Sequence, residues 1–281
     1  MPRFSVCIPS YNNACYLDAC VKSVLSQDFR DIELIVINDG STDDTCMLLN
    51  RIASSDARVI AVNRADNRGL HRTRAEGVEL ATGDYTVFLD SDDEFLPGFL
   101  TKLDSALRAN PVDLLHFGIK VEDCGVGTSE ASQFESYINA PLEELTGEGI
   151  MRAVFSPGAG GYRQDWRFTQ RAFATPLLKR AFDSMTGADL GRAEDAYESF
   201  VTLAMATRSV TRNDIVGLLY NYGRGVNSGS SLSIEDFAED AHEFWSSVCA
   251  IKNHAERMGT TVAKECSDSA RWKLFDLLFN D

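Results

Sequence analysis

Positive charge is scarce in this sequence. Its 27 Lys and Arg face 42 Asp and Glu, a formal net charge of -15 at pH 7 with a pI near 4.7. Nucleic-acid binding rests on Lys and Arg neutralising phosphates, so no nucleic-acid partner is expected. A polybasic attachment to anionic lipid is disfavoured for the same reason. No apolar run reaches bilayer-spanning length, and no signal peptide is recognised. The seven cysteines (Cys7, Cys15, Cys20, Cys46, Cys124, Cys249 and Cys266) are scattered and odd in number, with no CxxC pair. They read as reduced, mostly buried thiols of a soluble cytoplasmic protein, with peripheral contact at the inner membrane face left open. The four histidines (His71, His116, His242 and His254) lack zinc-type spacing and read as structural or exposed. Familiar nucleotide motifs are missing too. No G-x-G-x-x-G follows the first strand, which disfavours a dinucleotide-dependent oxidoreductase, and no G-x-x-x-x-G-K-[ST] marks a P-loop. No G-x-S-x-G elbow is present.

What is present is a regular α/β pattern. A chain of 281 residues with 44% hydrophobic content can bury one large domain, or one domain plus an appendage. Phe4 to Ile8 reads as a buried strand stopped by Pro9, followed by a helix from about Tyr16 to Leu25. Ile32 to Ile37 is the second strand, with a helix opening at Asp43 or Asp44. Val59 to Val62 is the third, before a helix from Leu70 to Leu80 closed by Gly83 as a C′ glycine. Tyr85 to Leu89 is the fourth, with Pro97 opening the next helix, and Leu114 to Gly118 is the fifth. Such alternation predicts a mainly parallel sheet with helices on both faces.

After about residue 121 the pattern breaks. Residues 121–135 read as a loop or irregular hairpin, and Ser156 to Gly161 as a permissive loop. A helix is expected around Ala193 to Met205, a strand near Asp214 to Tyr222, and a loop at Asn227 to Ser231. Two closing helices, Ile234 to Met258 and Val262 to Phe279, are expected to pack on this domain or a second chain. Phe237, Ala241, Phe244, Trp245, Val248 and Ile251 form an apolar stripe on the first of them. A homo-oligomer through these helices is left open, as is a longer parent protein. The organisation reads as residues 1–120 and 121–232, two halves of one α/β domain, and 233–281, the closing helices.

The chemistry concentrates at strand ends. Val87-Phe88-Leu89 runs straight into Asp90-Ser91-Asp92-Asp93, three carboxylates within four positions. Like charges this close raise one another's pKa unless a cation compensates them. Hard oxygen donors at a strand's C-terminal end suit Mg2+ or Mn2+. A solvated turn and helix cap would use the same residues. The first strand ends in Pro9-Ser10-Tyr11-Asn12-Asn13, and the second in Asn38-Asp39-Gly40-Ser41-Thr42-Asp43-Asp44. Asp39 can accept hydrogen bonds from a ribose or base, and Gly40 permits close backbone approach. The three turns should converge on one rim of the sheet.

These segments, with Asn67-Arg68-Gly69 and Gly83-Asp84-Tyr85, resemble the family-2 inverting glycosyltransferases of the GT-A fold. The resemblance covers about the first 100 residues in the family's order and spacing. It implies a UDP-sugar donor and a divalent metal, Mn2+ or Mg2+, at an Asp-x-Asp motif, with residues 1–120 as the nucleotide-sugar-binding half and 121–232 as the acceptor-binding and catalytic half. By that motif Asp92 would ligate the metal, and Asp90 would contact the ribose or the metal shell. Asp39 would bind uracil or ribose, with Pro9 and Tyr11 lining the base pocket and Asn12, Asn67 and Ser91 on the donor side. Arg74 stands where the family has an Ala-Arg-Asn segment, here Thr73-Arg74-Ala75 without its usual asparagine. It could serve the nucleotide or lie on the surface.

The resemblance also implies a Glu-Asp pair opening a helix, which Glu194-Asp195 fits. Asp195 would be the general base and Glu194 its neighbour, although acidic residues also favour any helix N-terminus. Tyr220-Asn221-Tyr222 and Ser228 to Ser231 match a Tyr-x-Tyr segment and a serine-containing loop. Trp166 reads as core sooner than as a platform for an acceptor sugar. The expected reaction is transfer of a sugar to a hydroxyl of a glycan or lipid-linked acceptor in bacterial surface polysaccharide synthesis. A catalytically silent nucleotide- or glycan-binding module is the alternative.

Overall fold

Strand β1 (Phe4–Ser10) forms where Phe4, Val6 and Ile8 alternate with Ser5 and Cys7. It is followed by α1 (Ala14–Leu25), β2 (Ile32–Asn38), α2 (Thr45–Ser55), β3 (Val59–Asn63), α3 (Leu70–Leu80) and β4 (Tyr85–Phe88). Then come β5 (Glu94–Phe95), α4 (Phe99–Ala109), β6 (Leu114–Asp123), α5 (Thr128–Ile138), β7 (Leu145–Thr146) and α6 (Glu148–Phe155). A 3-10 turn over Phe168–Gln170 leads into β8 (Arg171–Ala174), α7 (Thr175–Ser184), α8 (Glu194–Met205) and β9 (Arg208–Tyr222). Helices α9 (Ile234–Met258) and α10 (Thr261–Asn280) follow. The computed structural model of the chain describes residues 1–158, 162–186, 190–224 and 234–280, with the side chains of all of these except 234–240, 279 and 280.

The described strands form one mixed sheet in the order β3-β2-β1-β4-β8-β6-β9-β5, with β7 paired to β9. Strands β3, β2, β1 and β4 run parallel, so their C-terminal ends share one rim. Strand β8 is antiparallel to both β4 and β6, while β6 and β9 run parallel. Period-two alternation sorts the side chains onto two cores. Val6, Ile8, Leu34 and Val36 pack with α1, α2 and α4, whereas Cys7, Ile35 and Ile37 face α3, α6, α7, α8 and the closing helices. Both faces are covered, which is why these strands read as near-continuous apolar runs. Each fully buried Leu, Ile, Val or Phe contributes roughly 1.5–3 kcal/mol.

The first four strands lie where the sequence puts them, within one residue at most ends. The second half is richer than expected. Residues 121–135 are not a loop or hairpin: they carry the end of β6 and most of α5. The turn between them is built by Asp123, whose carboxylate accepts from the backbone N–H of Gly125, Val126 and Gly127. Gly83 is not a helix C′ residue, because α3 ends at Ala81 in extended backbone. It is needed because a Cβ there would lie 2.7 Å from the backbone nitrogen of Ser5. Pro97 lies two residues ahead of α4, whose N-cap is Gly98.

The closing helices pack on this domain through Val248, Ile251, Ala263, Cys266 and Leu274. Trp245 of the apolar stripe is half exposed, whereas Val248 and Ile251 are buried. The Phe237 and Phe279 side chains and the Ser228 to Ser231 loop lie outside the described residues. Among the described residues no helix is long and apolar enough to cross a membrane.

Candidate active site

The three strand-end turns lock into one rim through side-chain hydrogen bonds. Asn12, left-handed at φ +50°, donates its N–H to Ser41 Oγ at 2.9 Å and accepts at Oδ1 from the Thr42 N–H at 2.8 Å. Asn tolerates this backbone region better than most residues. Asn13 donates from Nδ2 to Ser91 Oγ at 2.7 Å, tying the β1 turn to the acidic run after β4. Ser91 is therefore buried with its hydroxyl engaged. Tyr11 is the exposed aromatic of the rim, and Pro9 pairs with Ile37 at the end of β1.

Asp39 is buried behind β2 and organises the loop after β3. Its carboxylate accepts from Arg64 Nη1 at 2.8 Å and from the backbone N–H of Arg68 and Gly69 at 3.1 and 2.9 Å. Gly40 has φ +72°, and a Cβ there would sit 2.4 Å from the Asn67 backbone nitrogen. The loop thus lies directly on the glycine, with Asn67 accepting at Oδ1 from the Gly69 N–H at 2.9 Å. Asn38 donates to Asn63 Oδ1 at 2.9 Å, a contact an ionised aspartate could not make.

Arg74 is not a surface residue. It is 2% exposed, with its guanidinium over the rings of Phe88 and Phe168 at 6.0 and 5.7 Å. Four carboxylates surround it. Nη1 donates to Asp195 Oδ1 and, at 2.8 Å, to Glu198 Oε2, while Glu194 Oε1 and Asp90 Oδ1 lie 3.8 Å from its guanidinium nitrogens. Burial works against its charge, but Asp195, Glu198, Asp90 and Glu194 outweigh that and hold its pKa above the ordinary value. Helix α8 supplies three of these acids because positions 194, 195 and 198 share one helical face. Its N-cap, Ala193, has φ +58°, a strained setting for a residue with a Cβ. Ser247 on α9 pins the preceding turn by donating to the Arg192 carbonyl at 2.6 Å.

The acidic rim is under-compensated. Burial pushes the Asp90 carboxyl up to about 6, with Arg74 opposing and Asp195 and Asp92 adding to the rise. Burial raises Asp92 as well. Burial and Asp195 drive Glu194 up to about 8 against the pull of Arg74. Asp93 is not a helix cap. It is buried, accepts from the Asn221 N–H of β9 at 2.8 Å, and leaves Oδ2 without a partner. Asn221 also donates to the Asp92 carbonyl at 2.8 Å.

A family profile described as "Glycosyl transferase family 2" matches residues 5–168. The chain belongs to that family. Glycosyltransferase GlyG of Streptococcus pneumoniae is 26% identical over 255 residues, covering 86% of this chain and 78% of that one. A Campylobacter jejuni protein named "GalNAc(5)-diNAcBac-PP-undecaprenol beta-1,3-glucosyltransferase" is 36% identical over 104 residues, 37% of this chain and 34% of that one. The match covers 46% of an uncharacterized glycosyltransferase of Haemophilus influenzae and 34% of the Campylobacter protein, less than half of either. Among solved structures, S. aureus TarS 1-349 in complex with UDP-GlcNAc superposes with a TM-score of 0.69 at 20% identity, covering 99% of this chain and 73% of that one. The fold is thus that of the GT-A glycosyltransferases.

Within this family-2 chain the rim fits a divalent ion of one kind. Asp90 and Asp92 supply hard oxygen donors whose charge is under-compensated. Among the described residues no group of three or more His, Cys, Asp or Glu encloses a metal. Such a donor set suits an ion completed by substrate phosphates and water, as Mg2+ commonly is. Several site residues escaped the sequence reading. Arg224, over the Tyr16 ring at 5.0 Å, acts on Asp92, and Arg167 lies between the rings of Phe134 and Tyr220 at 5.0 and 4.8 Å. Glu198 and His71 were also missed, because they meet across 127 residues, as was Arg64, which joins Asp39 to Glu76. Tyr220 and Tyr222 stack together at 6.0 Å beside Arg167. Trp166 is buried against Phe155, the core position expected.

Proposed function

We propose that this chain transfers a sugar from a UDP-sugar to a hydroxyl group of a glycan or lipid-linked acceptor, with inversion at the anomeric carbon. The observation that carries the reading is the meeting of Asp90, from the acidic run after β4, with Glu194 and Asp195 around one buried guanidinium, Arg74. A donor-side acidic turn and an acceptor-side acid pair are the two halves that such a reaction needs.

In that reaction the acceptor oxygen attacks the anomeric carbon opposite the diphosphate. Its proton passes to the Asp195 carboxylate. The bond from carbon to the diphosphate oxygen breaks, and the electron pair leaves with UDP. Asp195 sits at the start of α8, partly exposed and oriented by Arg74, so it can face an incoming hydroxyl. Asp92, supported by Asp90, would hold Mg2+ or Mn2+, which when bound would balance charge developing on the leaving diphosphate. Tyr11, Pro9 and Asn12 border the base pocket, and the Asp39-bound loop with Asn67 forms its wall.

The names of the relatives support the partners. The Campylobacter protein is named for a lipid-linked saccharide, which fits a role in surface polysaccharide synthesis. The TarS complex holds UDP-GlcNAc, which fits a UDP-sugar donor. Release of UDP from a panel of UDP-sugars with Mg2+ or Mn2+ tests the reading. Asp92→Ala should abolish metal-dependent turnover and leave thermal unfolding nearly unchanged. Wild-type turnover in that variant would refute the metal assignment. Absence of UDP release from the unmodified chain, with UDP still bound, would mean a silent binding module.

A further inference from the structure

Glu198 lies one helical turn behind Asp195 and is fully buried. Its two oxygens are divided between two partners on α3. Oε1 meets His71 Nδ1 at 2.8 Å, and Oε2 accepts from Arg74 Nη1 at 2.8 Å. The same Arg74 nitrogen donates to Asp195. His71 and Arg74 are three residues apart, so α3 offers both groups on one face. The imidazole is stacked on Phe182 at 5.9 Å, which fixes its plane. An ionised carboxylate is acceptor-only, so Nδ1 carries the hydrogen in this pair.

This arrangement is more than ion pairing. A fully buried carboxylate is costly unless it is hydrogen-bonded on each oxygen, and here each bond goes to a group that bears on the site. Without Glu198 the guanidinium would bind Asp195 alone, which would weaken Asp195 as a base. Without His71, Glu198 Oε1 would lose its partner.

We propose that Glu198, anchored by His71, is a positioning residue for Asp195: it shares the Arg74 guanidinium and so sets both the placement and the basicity of the base. The inference rests on the reading of Asp195 as the base. The charged and titratable groups facing the cluster are Arg74 and His71 from α3, Asp90 from the β4 end, Glu194, Asp195 and Glu198 from α8, Arg167 from the segment before β8, and Arg171 at the start of β8.

The test is the pH profile of UDP release from UDP-GlcNAc and UDP-glucose with Mn2+, run on Glu198→Gln. Replacing the charge by an isosteric amide frees Arg74 for Asp195 and removes a like charge. Both effects favour the ionised form of the base. The acid limb should therefore move down by about one pH unit, and kcat should fall on the order of tenfold, with KM and UDP affinity little changed. An unchanged kcat and acid limb would overturn the proposal. So would equal losses in UDP affinity, kcat and thermal midpoint, which signal a purely structural role.

Should Glu198→Gln fail to fold, His71 decides. His71→Leu should lower kcat, and His71→Asn, which keeps a donor near the Nδ1 position, should recover part of the loss. Equal kcat in the two His71 variants would overturn the proposal. Asp195→Asn is run in parallel. If it is inactive while Glu198→Gln behaves as wild type, only the positioning role fails; if it is active, the base assignment fails and the proposal with it.

Discussion

Arg74→Met is the most informative single change outside the reacting groups. It keeps an apolar stem beneath Phe88 and Phe168 but removes the one guanidinium that Asp195, Glu198, Glu194 and Asp90 share. Glu198 is then fully buried with His71 alone, and among the described residues the α8 carboxylates keep only Arg167 and Arg171, neither hydrogen-bonded to them, as cations. Removing one member of a buried ion pair typically costs about 3–5 kcal/mol. For a chain of this size that corresponds to a fall in thermal midpoint of roughly 10 °C. Urea unfolding at pH 7.5 and at pH 5.5 measures both the size of the loss and its origin. Protons can replace the missing cation, so the deficit should shrink at the lower pH. Arg74→Lys should recover part of it, since an ammonium is a point charge without the guanidinium fork. A loss below about 1 kcal/mol, a value ordinary for exposed pairs, or one independent of pH, would refute the reasoning.

Glu194→Gln should change the pH dependence of stability. The folded carboxyl is raised to about 8 by burial and by Asp195, above an unfolded value of about 4.3. A raised folded pKa gives stability that is complete below the unfolded value and lost as pH rises through the folded one. Relative to the Glu194→Gln variant, the native chain should therefore lose stability from about pH 4.3 to about 8, by at most about 1.4 kcal/mol per unit, and level off above that. Parallel curves for the two proteins would contradict the shift. Gly40→Ala should destabilise by about 1–3 kcal/mol, because φ is +72° and a Cβ would strike the Asn67 backbone. Its UDP affinity should fall as well, read by calorimetry, since the same loop walls the proposed donor pocket.

The fold of the first half was legible because its signals are local. Apolar runs in β1, β2 and β4 lead into the polar turns at Asn12, Asp39 and Asp90, and helices α1 and α2 follow the first two, which specifies a parallel sheet with loaded rims. The acid pair at Glu194 and Asp195 was legible only beside that half. Arg74 could be found in the sequence but not placed, because its partners lie 121 and 124 residues away on α8. Glu198 looked like any helix-face glutamate for the same reason. Asp93 gave no hint of burial, since its partner is a backbone N–H on β9, 128 residues on. Strand β8 escaped notice because Arg171-Ala172-Phe173-Ala174 is short and opens on an arginine. That arginine is buried, with two guanidinium nitrogens on the carbonyls of Asp165 and Arg167, and burial lowers its pKa to about 10.

The base assignment is tested most directly by Asp195→Asn, with UDP binding and UDP release measured on the same preparation. The variant should bind UDP as the native chain does, because the proposed role of Asp195 is toward the acceptor and not the nucleotide. Transfer should fall by a factor of about 100 or more, the usual contribution of a general base. Unimpaired UDP affinity with kcat retained would contradict the assignment and move the base to another group.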